Sequence, residues 1–159
     1  MHISYLLLGS NIGNSHEQLL AAKKNIATFI GDITASSSMY STAAWGNTDQ
    51  ADFLNQILLI ETDLAASKLL RSILIIEKNM GRVRTMKNAP RIIDIDILFF
   101  NNDIIQAKKL TIPHPEIQNR KFVLTPLAEL SPNFVHPSLK KTINQLLIEC
   151  KDPLNVQKI

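Results

Sequence analysis

The chain reads as an α+β protein, a mainly antiparallel sheet covered by helices in a three-layer α-β-α sandwich. Short apolar runs that read as strands alternate with longer stretches whose apolar residues recur at helical spacing. Their order is β, α, β, β, α, β, β, which is that of a ferredoxin-like core with two helices appended. No internal repeat, low-complexity tract or linker interrupts it, and 159 residues suit one well-buried domain better than two.

"ISYLLLG" is a buried first strand, and "GSNIGNS" is the turn into a helix from about Ser15, with Leu19, Leu20, Ile26 and Phe29 on its apolar stripe. That turn lacks both the Gly-Lys-Ser/Thr ending of a P-loop and the three-glycine spacing of a dinucleotide fold, so it predicts a tight strand-to-helix connection. "DITASSSMYST" and "DFLNQILLIETD" read as two strands joined by the polar loop "AAWGNTDQA". In "AASKLLRSILIIEKNMG", Leu69, Leu70, Ile73, Leu74, Ile76 and Met80 form a helical stripe that Gly81 terminates. The strand "PRIIDIDILFF" follows, and "NND" is expected to return the chain through "IIQ" as a hairpin. "LTIPHPEIQNRKFVLTPLAEL" reads as proline-punctuated loop and then a short helix, and "SLKKTINQLLIEC" as a last amphipathic helix.

The single cysteine, Cys150, excludes an intramolecular disulfide and a zinc site built on several thiolates, and suits a reducing cytosol. "MHISYLLLGSN" has no basic segment before its short apolar run, and no stretch approaches the roughly 20 apolar residues of a membrane span. Neither an export signal nor a membrane anchor is expected, and a cytoplasmic location is. The net charge of +3 points only weakly to an anionic partner, because most lysines are scattered. The arginines are not: of five, Arg82, Arg84 and Arg91 fall within "RVRTMKNAPR", which also holds Lys87 and no acid.

That basic stretch runs into a strand with two aspartates one residue apart. Alternate side chains of a strand share a face, so Asp94 and Asp96 point together while Ile93, Ile95 and Ile97 point the other way. Two carboxylates among apolar neighbours repel each other and lose hydration, so a positive partner is required. Ion pairs with Arg82 and Arg91 would suffice structurally. A pair of divalent ions, magnesium for an all-oxygen ligand set, would add phosphoryl-transfer chemistry, with arginine forks on the phosphate oxygens of a polyphosphate. His114, between two prolines, is either a phosphate donor or acid–base group or a loop histidine. Phe53, Trp45 and Phe122 either stack on a flat ring or pack in the core.

The stretches "LGSNIGN", "DQADFLNQIL", "IEKNMGRVR", "APRIIDIDIL" and "LTIPHPEIQNRKFVLTPLAEL" resemble, in order and across nearly the whole chain, the 6-hydroxymethyl-7,8-dihydropterin pyrophosphokinases of folate biosynthesis. The resemblance implies a single catalytic domain over residues 1–159 that transfers an intact diphosphate from ATP to the pterin hydroxymethyl group and releases AMP. It implies two magnesium ions on Asp94 and Asp96, and catalytic roles for Arg82 and Arg91 beside them. Glu77, Arg84, Ile97, Lys109, Thr111, His114 and Arg120 would form the ATP site. Thr42, Ala43, Trp45, Phe53, Asn55 and Phe122 would form the pterin site. The expected partners are these small molecules alone, with no nucleic acid and no membrane, and the protein is expected to be a monomer.

This chain departs from the family pattern at "TAAWG", where proline often follows the threonine, in "TMKNAPR", which lacks a tryptophan that some members carry, and at Lys109, where some have arginine. "WGNTDQA" and "GRVRTMKNAP" are polar, without an apolar stripe, and are expected to act as lids. Three other readings compete: an RNA-binding module on a ferredoxin-like sheet, a nucleotidyl- or glycosyl-transferase using D-x-D with a metal, and an inactive relative with a regulatory role, against which the intact aspartates and arginines argue.

Overall fold

The computed structural model describes residues 1–43, 51–82 and 90–159. A six-stranded sheet is built from β1 (His2–Ser10), β2 (Asp32–Ser36), β3 (Tyr40–Thr42), β4 (Phe53–Thr62), β5 (Asp94–Phe100) and β8 (Val156–Lys158). Its order is β5-β1-β4-β3-β8, with β2 also on β4, and every pairing is antiparallel. Helices α1 (Ser15–Phe29) and α2 (Ala66–Asn79) cover one face, and α3 (Lys121–Leu130) and α4 (Ile143–Glu149) the other. The α-β-α sandwich is therefore the one expected, and with both faces covered there is no open platform for stacked RNA bases among the described residues.

The central strand explains the layering. Along β1, Leu6 and Leu8 enter the core under α1 and α2, while Tyr5 and Leu7 enter the core under α3. A strand buried on both faces must be apolar at nearly every position, which is why "YLLL" shows no polar alternation. Asn14 caps α1 by accepting from the Glu17 amide at 3.1 Å, and Gly13, at φ +70°, makes the turn before it. Gly81, at φ +94°, ends α2 as its sequence position predicts.

Five details differ from the sequence reading. Leu20 and Phe29, expected on the apolar stripe of α1, are exposed, and the helix buries Ala22 with Leu19 and Ile26 instead. "DITASSSMYST" is two strands, because Ser37 interrupts the ladder: its hydroxyl accepts from the Ile57 amide at 2.9 Å in place of a carbonyl. The hairpin is formed not by "IIQ" with the aspartate strand but by β6 (Ile105–Ala107) with β7 (Leu110–Ile112), which makes "LTI" a strand too. The last helix begins only after Thr142, where Thr142 and Gln145 form a reciprocal capping box. Finally, "VQK" is an edge strand beside β3, too short and too polar to announce itself.

Candidate active site

Strand register brings the polar residues together. Gly9 of β1 pairs with Asn55 of β4 on one side and Asp94 of β5 on the other. Two residues back, Leu7 pairs with Ile57 and Asp96. Asn55, Asp94 and Asp96 therefore share the α3 face, as do Phe53 and its partner Thr42. Ile93, Ile95 and Ile97 are buried on the opposite face, which is the split the alternation predicts. Leu98 is then the extra residue of a bulge, since Tyr5 pairs with Phe99 and Leu6 with Ile97. Both Leu98 and Phe99 enter the α3 core, and Phe100 returns to the other.

A cavity of about 330 Å³ lies over this floor. At one end stand Glu77 from α2, Arg82, Arg91, Asp94 and Asp96; at the other stand Thr42, Ala43, Phe53, Asn55 and Phe122; His114 and Arg120 belong to the same lining. Leu7, Gly9, Leu70, Leu74 and Ile95 complete it and were not among the sequence candidates.

The charged end is a network. The Arg82 guanidinium donates through one Nη to Glu77 at 2.6 Å and to Asp94 at 2.7 Å, and Arg91 donates to the second Asp94 oxygen at 2.9 Å. Glu77 is buried, and the oxygen that meets Arg82 also accepts from the Ile95 amide at 2.8 Å. One carboxylate thus ties the end of α2 to the edge of β5. Burial opposes the charge on Arg82, but Asp94 and then Glu77 more than offset it, so its pKa is raised further. Asp96 is pushed up to about 8, first by burial and then by the charges of Asp94 and Glu77, with Arg120 and Arg91 pulling the other way.

Arg91 is held through its main chain as well. Its amide donates to Asn11 Oδ1 at 2.9 Å, the Asn11 amide donates to its carbonyl at 3.1 Å, and Asn11 Nδ2 donates to the Ala51 carbonyl at 3.1 Å. The signal in the sequence is the asparagine of "GSN", directly after the first strand. Its primary amide matches a peptide group, so one side chain ties β1 to two separate stretches of chain.

His114 Nδ1 accepts from the Glu116 amide at 3.1 Å. That leaves the ring proton of the neutral form on Nε2. Burial and then Arg120 lower its pKa, with Asp94 and Glu116 opposing. A neutral donor beside cations suits an anionic ligand. The Arg120 guanidinium lies 5.8 Å from the Phe122 ring centre, and that of Arg91 5.8 Å from the Phe53 ring. Asn55 Nδ2 is buried without a hydrogen-bond partner among the described residues. A Cβ on Gly9 would come within 2.8 Å of Asn55 Oδ1, so only glycine lets the Asn55 amide lie flat against β1.

Not every candidate converges. Ile97 is buried in the core beneath α1 and α2, so its side chain is not in the cavity. Lys109, in the β6–β7 turn, and Thr111 are exposed and are absent from the lining among the described residues. Trp45 and Arg84 lie outside the described residues, as do most of the two stretches expected to be lids.

A sheet of this topology carrying clustered arginines and paired aspartates defines a site for phosphate-bearing substrates. The family model for 7,8-dihydro-6-hydroxymethylpterin-pyrophosphokinase matches residues 5–132, and the chain belongs to that family of transferases, which use ATP as co-substrate. It is 39% identical to the 2-amino-4-hydroxy-6-hydroxymethyldihydropteridine pyrophosphokinases of Aquifex aeolicus, over 89% of this chain and 88% of the relative, and of Haemophilus influenzae, over 96% and 95%. It is also 39% identical to a folic acid synthesis protein of Dictyostelium discoideum, over 99% of this chain but only 24% of that longer protein. The crystal structure of Plasmodium falciparum HPPK-DHPS superposes with a TM-score of 0.77 at 19% identity, over 93% of this chain and 43% of that one, a likeness of fold. No helix among the described residues is long and apolar enough to cross a membrane.

Proposed function

We propose that the chain transfers the diphosphate group of ATP to the hydroxymethyl group of 6-hydroxymethyl-7,8-dihydropterin, giving the pterin diphosphate and AMP. It would do so as a single catalytic domain and a monomer in the cytoplasm. The observation that carries this reading is one cavity with two unlike ends. An arginine–aspartate cluster suits polyphosphate, and an amide donor between aromatic rings suits a flat heterocycle.

Asn55 Nδ2 donates to an acceptor on the pterin edge, and Phe53 and Phe122 sandwich the ring with Thr42 and Ala43 at its rim. Glu77 holds Arg82 in place. Arg82 and Arg91 move from Asp94 to the β- and γ-phosphates as these arrive, exchanging one anion for another. His114 donates through Nε2, and Arg120 adds fixed positive charge. The pterin hydroxyl oxygen bonds to the β-phosphorus, giving up its proton to water, while the bridge between β-phosphorus and the α-phosphate oxygen breaks, and AMP leaves. Catalysis is positioning plus charge neutralisation.

The donor set fits divalent cations. Asp96 resists ionisation in this setting, a cost that a cation removes, and Asp94 lies on the same strand face. No group of three His, Cys, Asp or Glu side chains is assembled as a cage among the described residues, which suits an ion completed by substrate phosphates. Asp94 and Asp96 would hold two magnesium ions, whose charge neutralises the phosphate oxygens.

Phosphorus NMR of the protein with ATP, magnesium and 6-hydroxymethyl-7,8-dihydropterin tests the reading. AMP and a pterin diphosphate are expected to appear together, and neither without the pterin. ADP with a pterin monophosphate would overturn attack at the β-phosphorus, and nucleotide turnover indifferent to pterin would restore the D-x-D transferase.

A further inference from the structure

The last nine residues lie beyond the stretch that the family model matches, yet they touch both walls of the cavity. Asp152 Oδ2 accepts from the Lys121 amide, the first of α3, at 3.0 Å, and its Oδ1 accepts from the Leu154 amide at 3.0 Å. Three residues further on, the Asn155 carbonyl accepts from the Thr42 hydroxyl at 3.0 Å. From there β8 pairs with β3, Val156 opposite Thr42 and Lys158 opposite Tyr40, and the Ile159 amide donates to the Met39 carbonyl at 3.0 Å.

The first turn of α3 needs this help. Its own N-cap residue, Arg120, makes no side-chain cap bond. Pro126 lies inside the helix, and a proline has no N–H to return to the carbonyl four residues earlier, that of Phe122. The turn that carries Arg120 and Phe122 is thus short of bonds at both its amide and its carbonyl ends. Asp152 supplies an acceptor at the helix N-terminus, where a negative charge is also favoured by the helix dipole.

We infer that the C-terminal segment is a positioning element of the substrate site. Asp152 caps α3 from a distance and so fixes Arg120 and Phe122, while Asn155 and β8 hold Thr42 at the facing wall. The inference rests on the pterin and ATP assignments above for its functional half, and on hydrogen bonding alone for its structural half.

The two halves are separable by experiment. Amide hydrogen exchange on the free protein, with no substrate present, reads the structural half. Asp152→Ala is expected to speed exchange at Lys121 and Phe122 by about fivefold, the size of one lost helix cap, and Asp152→Asn, which keeps an acceptor oxygen, to restore it. In steady-state kinetics Asp152→Ala should raise KM for ATP and for pterin by about fivefold with kcat nearly unchanged, again rescued by asparagine. Thr42→Val, which loses the bond to Asn155, should raise KM for pterin alone. Unchanged exchange in Asp152→Ala would sink the capping role. Faster exchange with both KM values unmoved would reduce Asp152 to a stabilising cap. A wild-type protein that ignores pterin would remove the proposed function instead, and the exchange result would still decide whether the segment holds α3.

Discussion

At the charged end of the cavity both oxygens of Asp94 are engaged by arginines at 2.7 and 2.9 Å, and Glu77 is engaged by Arg82 and a main-chain amide. At the apolar end Asn55 Nδ2 is buried without a partner among the described residues. One end is satisfied internally and must exchange partners when a ligand arrives. The other is incomplete and is satisfied by the ligand itself. A buried unpaired donor costs about 1–3 kcal/mol, so the apolar end stores a penalty that a matching heterocycle relieves. The arginine–carboxylate pairs of the charged end store nothing comparable, because phosphate must displace carboxylate from each guanidinium; the penalty there sits on Asp96 alone and is relieved by a cation rather than by the phosphate. Loss of a side chain should therefore read differently at the two ends: chemistry and stability at the first, affinity at the second.

The largest expected effect is at Asp96, where burial and the neighbouring charges of Asp94 and Glu77 make it the carboxylate that most needs a cation. Asp96→Ala should lower kcat by about a thousandfold or more while thermal unfolding stays cooperative. Activity within tenfold of wild type would remove the paired-carboxylate proposal. Arg82→Ala comes next. It should lower kcat by about a hundredfold and, by removing the guanidinium that bridges the buried carboxylate of Glu77 to Asp94, destabilise the fold by about 3 kcal/mol. Lost activity without lost stability would mean that Glu77 does not depend on Arg82 for its place in the fold.

The apolar end should respond in the opposite sense. Asn55→Ala should raise KM for pterin by about tenfold or more with kcat and KM for ATP little changed, since one uniform binding contact is lost. Because the deleted donor has no partner among the described residues, the penalty relieved offsets the packing lost with the side chain, and the melting temperature should barely move. A large drop in stability would show that the Asn55 amide is satisfied before substrate binds, and would erase the contrast with Arg82.

The charged end was largely legible in the sequence because a strand's period of two is rigid: once "DIDIL" is extended, Asp94 and Asp96 must share a face. The layer architecture followed from equally regular periods, as in the α2 stripe. What escaped depends on long-range register or on single polar groups. Nothing local in "GSN" says that Asn11 will hold both Arg91 and Ala51, and nothing in "QILLI" says that Ile57 will donate to Ser37 and split a strand. The strand β8 is three residues long and takes its register from β3, so only the folded chain defines it. The family resemblance implies Ile97 in the ATP site, whereas the same alternation that places the aspartates sends its side chain to the opposite core.

The last test is one of pH, and it reports on Asp96 without any turnover. In metal-free protein the carboxyl titrates near 8 when folded, against a reference of 3.8, with burial the leading cause. Between those values the unfolded chain has released the proton and the folded chain keeps it, so stability falls as pH rises. The contribution is complete below 3.8 and is lost progressively as pH rises through about 8. With chelator present, the melting temperature of the wild type should therefore fall relative to that of Asp96→Asn across this window. Magnesium competes with the proton for the same carboxylate, so the stabilisation it confers should be greater at pH 8 than at pH 6 and weaker in Asp96→Asn. Parallel pH profiles for the two proteins would show that burial does not hold Asp96 protonated, and that cation binding costs the site no proton.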